Sequence, residues 1–134
     1  MKKYKIFLVD DDPIFLEMLK ESLIDNENFI VEGFKSGEEC LKRMNENPYI
    51  VVLDHYLNSK DKTAKDGLTV LREIKIKFPD IRVIILSAQE DGKLVYEFTA
   101  SHACDYIIKD DDAFENLLET IEDLIQLDED DAIE

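Results

Sequence analysis

Apolar residues fall into two rhythms along this chain, short dense runs and longer stripes at helical spacing, and the two alternate from end to end. Ile50 to Leu53 is four apolar residues in a row, three of them β-branched. That run is too short for a helix and too uniformly apolar for a half-exposed strand, so Tyr49 to Asp54 is expected to be a central strand buried on both faces. Lys5 to Val9 and Arg82 to Leu86 read the same way, Phe29 to Phe34 alternates weakly, and Tyr106 to Ile108 supplies a fifth, shorter strand.

Helical stripes fill the gaps between these runs. The first carries Ile14, Phe15, Met18, Leu19, Leu23 and Ile24, with Asp12 as its N-cap and Pro13 at the first helical position, where the missing N–H is harmless. Ser36 with Glu39 forms a capping box for a short helix through Met44. Asp66-Gly67 opens a helix with Leu68, Leu71, Ile74 and Phe78 inward, a weaker helix lies around Leu94 to Thr99, and Asp110 to Asp112 cap a last one. In that last helix Phe114, Leu117, Leu118, Ile121, Leu124 and Ile125 form the clearest apolar face in the chain. Five strand-then-helix units in unbroken alternation argue for an α/β fold, a doubly wound five-stranded parallel sheet with helices on both faces.

The 134 residues suit one domain, here residues 1–127, followed by an acidic tail, 128–134, with five acids in seven residues. That tail is expected to be solvated and disordered. The formal net charge of -16 repels phosphate backbones and anionic lipid, so neither nucleic acid nor membrane is an expected partner, and cations are favoured. No apolar run approaches the roughly 20 residues needed to cross a bilayer. The run after the basic start lasts only from Ile6 to Val9, and Cys40 and Cys104 offer neither a metal-ligand spacing nor a disulfide framework, so a cytoplasmic location is expected.

The polar residues that stand at strand ends give this scheme a chemistry. Asp10 and Asp11 follow the first strand, Asp54 ends the third, Ser87 the fourth, and Lys109 follows the fifth. In an open α/β sheet the carboxyl ends of the strands border the ligand crevice, so these side chains should converge. Taken singly, each has a plain reading: a turn-capping Asp, acids at a helix start, a turn Ser, a solvated Lys. Taken together, three close carboxylates would repel and raise one another's pKa unless a cation sat among them, and the all-oxygen ligand set suits Mg2+.

Asp10-Asp11, Asp54, Ser87-Ala88, Tyr106 and Lys109, in that order and spacing, resemble the receiver domain of bacterial two-component response regulators, over residues 3 to 127. The resemblance implies a flavodoxin-like (βα)5 fold and a phosphorylation-controlled interaction module of the stand-alone, chemotaxis-regulator-like kind. Asp54 would be the phosphoacceptor, served by a sensor histidine kinase or histidine phosphotransfer protein and read by a downstream protein target. Asp10, Asp11, Asp54 and the backbone carbonyl of Tyr56 would hold Mg2+, Lys109 and Ser87 would contact the phosphoryl group, and Ser87 and Tyr106 would switch. A surface of the fourth helix, fifth strand and fifth helix would carry the signal outward, and a dimer formed on phosphorylation stays open. Such a domain catalyses its own phosphorylation and dephosphorylation and is not otherwise an enzyme.

The chain also departs from the family pattern. The connection from Asp54 to Gly67 is roughly five residues longer than usual, with extra residues around Ser59 to Lys65 that include Lys60, Lys62 and Lys65, read either as a tolerated surface insertion or as a partner-selecting or phosphate-guarding loop. Leu57-Asn58 stands for the customary Met-Pro, His102 for a Gly before Ala103, and Asp110 for a Pro after Lys109. Bulk at Tyr56, which with Gln89 flanks the path of water to Asp54, implies slow self-hydrolysis. His55 is expected to point away from the acceptor, into the core or toward a helix, because adjacent strand residues face opposite sides. Three other readings remain: an unphosphorylated receiver-like scaffold, a metal-dependent phosphohydrolase with an Asp nucleophile, which would want an acid or base where Tyr56 stands, and a flavin-binding protein, for which no Ser/Thr/Gly-rich loop follows the first strand.

Overall fold

The computed structural model describes residues 2–58, 61–89 and 91–133, so Ser59 and Lys60 of the expected insertion and Glu134 of the expected tail lie outside the described residues. The elements run β1 (Tyr4–Val9), α1 (Pro13–Ile24), β2 (Phe29–Phe34), α2 (Gly37–Leu41), a single 3-10 turn (Met44–Glu46), β3 (Ile50–Asp54), α3 (Gly67–Lys77), β4 (Arg82–Ser87), α4 (Gly92–Ala100), β5 (Asp105–Ile108) and α5 (Ala113–Ile133). All strands pair in parallel in the order β2-β1-β3-β4-β5. The chain therefore winds one way from β1 to β2 and the other way from β3 to β5, and the crevice of such a sheet opens at the carboxyl ends of β1 and β3. This is the expected doubly wound, flavodoxin-like architecture.

The uniformly apolar strands serve two cores. Alternate side chains point to opposite faces. Ile6, Leu8, Ile50, Val52, Ile84 and Leu86 meet Leu16, Leu19 and Leu23 of α1 and Leu117 and Ile121 of α5. Phe7, Val9, Val51, Leu53, Val83 and Ile85 meet Cys40, Met44, the α3 residues Val70, Leu71 and Ile74, and Phe98 of α4. The helix starts form as their caps dictate. Asp12 accepts from the amides of Ile14 and Phe15, at 3.0 and 3.3 Å, Ser36 accepts from Glu39 at 3.2 Å, and Asp66 accepts from Thr69 at 2.9 Å. The capping box reaches back one residue further than expected, Glu39 accepting from the Lys35 amide at 3.3 Å.

Three expectations need correction. In α1 the buried residues are Leu16, Leu19 and Leu23, while Ile14, Met18 and Ile24 are exposed, so the inward stripe is narrower and rotated. The second helix stops at Leu41 and gives way to the 3-10 turn, closed by Asn47 in the left-handed region (φ 56°). Finally, residues 128–133 are helical and continue α5. Tyr49 donates its hydroxyl hydrogen to Asp128, Arg82 pairs with the same carboxylate at 2.5 Å, and Tyr4 donates to Glu129 at 3.3 Å. Asp128 and Glu129, the first two of the acids that suggested disorder, are thus held against the amino-terminal edge of the sheet. Among the described residues no helix is long and apolar enough to cross a membrane.

Candidate functional site

Asp10 is the first residue beyond β1, and the β-ladder delivers it to the crevice: its amide still donates to Phe34 of β2 at 3.0 Å. The side chain is fully buried, one oxygen accepting from the Asp12 amide at 2.9 Å and the other from Lys109 Nζ at 2.9 Å. Asp54, the last residue of β3 and nearly buried, takes the same ammonium at 2.8 Å. Carboxylate oxygens of Asp10, Asp11 and Asp54 come within 4.8 Å of one another.

Lys109 is placed by backbone pairing and by packing. Its amide donates to the Ser87 carbonyl at 2.8 Å, which ties the β5–α5 loop to the end of β4. Its ammonium lies 4.3 Å from the centre of the Phe15 ring, a cation–π contact. Phe15 in turn stacks on Phe114 of α5, with centroids 5.6 Å apart. Phe15 therefore supports the lysine, a role that its place in an apolar stripe did not reveal.

Among the described residues, Lys109 supplies the ammonium that Asp10 and Asp54 share, in a cleft that also holds the Asp11 carboxylate. Burial pushes the Asp10 carboxyl up, repulsion from Asp54 adds to this, and the Asp12 amide and Lys109 oppose it, leaving it at about 6. Burial also raises Asp54, against the pull of Lys109 and of the Tyr56 amide. Burial alone would lower Lys109, but Asp54 and Asp10 more than offset it and hold the ammonium above its ordinary range. A buried all-oxygen set that binds protons this readily is a fitting seat for a small hard cation.

Asp10, Asp11, Asp12, Asp54, His55, Tyr56, Ala88, Gln89 and Lys109 line a cleft of about 160 Å3. Five expected residues, Asp10, Asp11, Asp54, Tyr56 and Lys109, thus share one cavity. Ser87 sits beside it, fully buried at the end of β4, accepting from the Gln89 amide at 3.1 Å. Tyr106 stands further off, half-buried, its ring 5.7 Å from Phe98 and its hydroxyl donating to the Gln89 carbonyl at 3.0 Å.

His55 faces α4 as expected, its ring edge-on to Phe98 at 5.4 Å. It nevertheless lines the cleft, and its Nδ1 lies 3.4 Å from Ser87 Oγ. The alternation argument stops where the strand stops: β3 ends at Asp54, and His55 is already in the bend that follows. Burial holds its pKa below the ordinary histidine value.

Gly67 closes the back of the site. Its amide donates to the His55 carbonyl at 3.2 Å, and a Cβ there would fall 2.6 Å from the Asp54 carbonyl oxygen, a contact backbone atoms cannot relieve. The long β3–α3 connection packs around this point. Leu57 is buried in the core, the Lys65 amide donates to Glu38 at 3.1 Å, Lys65 Nζ pairs with Glu73 at 2.7 Å, and Lys62 lies 5.5 Å from the centre of the Tyr56 ring. Lys65 is thus engaged with α3 rather than with the acidic cleft.

A family model of the response regulator receiver domain matches residues 6–122. The chain belongs to the response-regulator receiver family. The chemotaxis protein CheY of Listeria monocytogenes is 31% identical over 119 residues, covering 88% of this chain and 95% of that protein. The transcriptional regulatory protein CssR of Bacillus subtilis is 37% identical over 87 residues, 65% of this chain, and the probable C4-dicarboxylate response regulator DctR of the same organism is 32% identical over 110 residues, 81% of this chain. The match spans 36% of CssR and 46% of DctR, less than half of either regulator. Among solved structures, the BeF3-activated DrrB receiver domain is 30% identical with a TM-score of 0.80, covering 92% of this chain and 98% of that one. Receiver domains are signalling domains with an acidic pocket, and a cluster of Asp10, Asp11 and Asp54 is present here.

Proposed function

We propose that Asp54 is the phosphoacceptor of this receiver, taking a phosphoryl group from the phosphohistidine of a sensor histidine kinase or histidine phosphotransfer protein and thereby switching a protein-binding surface. The observation that carries the reading is the ammonium of Lys109 shared between Asp10 and Asp54 in a cleft with a third carboxylate. An Asp54 oxygen forms the O–P bond as the donor's N–P bond breaks, and Lys109 stands where it can balance charge on the phosphoryl oxygens.

Asp10, Asp11, Asp54 and the Tyr56 carbonyl would hold Mg2+, and the donor set fits that ion because it is all oxygen, with three carboxylates close together. When bound, Mg2+ supplies further charge neutralisation at the transferring group. Ser87 then donates to a phosphoryl oxygen, Tyr106 repacks against the β4–α4 loop, and the α4, β5 and α5 surface changes shape. Similarity to CheY over 95% of that protein's length supports an output made by contact with a downstream protein, in the cytoplasm, rather than by contact with nucleic acid, which the charge of -16 disfavours.

Intact mass after incubation with acetyl phosphate tests the reading. One phosphoryl group should be gained with Mg2+, none without it, and none in Asp54→Asn. Failure with both acetyl phosphate and a phosphohistidine donor would leave the unphosphorylated scaffold in its place.

A further inference from the structure

Ser87 has a single hydroxyl proton and two possible claims on it. Its oxygen accepts from the Gln89 amide at 3.1 Å, so that contact does not use the proton. The other polar atom beside it, among the described residues, is Nδ1 of His55, at 3.4 Å. We infer that the imidazole of His55 holds the hydroxyl proton of Ser87 in the resting protein, so that a phosphoryl group on Asp54 must draw it away, which makes His55 a positioning residue of the switch. The inference rests on the phosphoacceptor reading above.

The surroundings of the ring fit a latch. For Nδ1 to accept, the neutral imidazole carries its proton on Nε2. The ring is fixed on two sides, edge-on to Phe98 at 5.4 Å and to Tyr56 at 5.5 Å, so Nδ1 is presented to Ser87 without a rotamer search. Phe98 is the only residue of α4 buried completely enough to anchor that helix, and it also touches the Tyr106 ring. Release of Ser87 from His55 therefore acts on the ring stack that joins α4 to Tyr106. In the resting state the latch satisfies a fully buried hydroxyl, and breaking it sets part of the threshold for switching.

The test uses beryllium fluoride with Mg2+, which stands in for the phosphoryl group, on the full chain. His55→Phe keeps the ring packing and removes the acceptor. It leaves the buried Ser87 donor unpaired at rest and should tighten beryllofluoride binding by about fivefold, the worth of one ordinary net hydrogen bond. His55→Asn, which places a side-chain oxygen near the position of Nδ1, should return affinity toward the wild-type value. In a Ser87→Ala background His55→Phe should change nothing further. If His55→Phe fails to fold by circular dichroism, His55→Leu takes its place.

Ring 15N spectra of the unliganded protein give a second, independent reading, and with two histidines in the chain assignment is direct. The His55 Nδ1 resonance should move on Ser87→Ala. An unmoved Nδ1 resonance, or equal beryllofluoride affinity in wild type and His55→Phe, overturns the latch and leaves the phosphoacceptor reading intact. A wild-type protein that takes up neither beryllofluoride nor phosphoryl overturns both.

Discussion

Asp10 carries most of the electrostatic tension of the cleft. Its carboxyl sits at about 6 in the folded protein against 3.8 for the free side chain, so the folded state binds that proton more tightly than the unfolded one. Stability from this group is fully present below pH 3.8 and is lost as pH rises through about 6. In metal-free protein at pH 7, Asp10→Asn is therefore expected to stabilise by on the order of 1–2 kcal/mol, with the gain gone at pH 3.5. Thermal melts in EDTA at the two pH values decide it, and an equal effect at both would remove the electrostatic explanation. Tyr56 is 45% exposed, yet its ring is fixed between His55 and Lys62 at the cleft wall. Tyr56→Asn should open a path for water and shorten the life of the aspartyl phosphate several-fold, read by loss of phosphoryl mass over time. These two residues were legible in the sequence because motif and spacing placed them. His55 and Phe15 were not, since their roles come from a bend after β3 and from a lysine 94 positions away.

The three inner strands β1, β3 and β4 were legible from their own residues, because burial on both faces demands an unbroken apolar run, and the helix starts were legible because Asp12, Ser36 and Asp66 cap locally. The end of α5 was not. Composition from Asp128 onward reads as a solvated tail, but the partners that hold it, Tyr4, Tyr49 and Arg82, come from β1, from the residue before β3 and from β4, and no local signal announces them. This makes a direct prediction. Truncation after Leu127 removes the Arg82 ion pair, the Tyr49 hydrogen bond to Asp128 and the Tyr4 bond to Glu129. Those groups are partly exposed, so the loss should be moderate, about 1–2 kcal/mol and a fall of several degrees in Tm. A disordered tail would leave Tm unchanged or raise it by relieving repulsion. Arg82→Ala separates the cases, since it should reproduce part of the loss in the full chain and have little further effect in the truncated one. Among the α-helices α4 anchors least, with Phe98 its one buried residue, which suits the proposed movement of that segment.

At the scale of the molecule, net charge and topology act at the same place. The sheet order gathers three acids from two strand ends into the crevice of a chain that is already at -16. Folding without a cation therefore presses like charges together at the carboxyl edge while Lys109 offsets only part of the repulsion. A divalent ion that binds the folded chain and not the unfolded one must then stabilise it by mass action, by about 2.7 kcal/mol at a hundred times Kd. For a domain of this size that corresponds to a rise in Tm of roughly 8 °C. The rise should be lost in EDTA and should not be reproduced by raising monovalent salt to the same ionic strength, because screening reaches a buried cluster poorly. It should shrink in Asp54→Asn, where one ligand has lost its charge, and the apo form of that variant should already melt higher than the apo wild type. Differential scanning calorimetry with Mg2+ titrated into EDTA-stripped protein measures all of this at once. If wild type and Asp54→Asn gain equally, the ion binds the diffuse negative surface rather than the crevice, and the three carboxylates would have to be held apart by protonation instead.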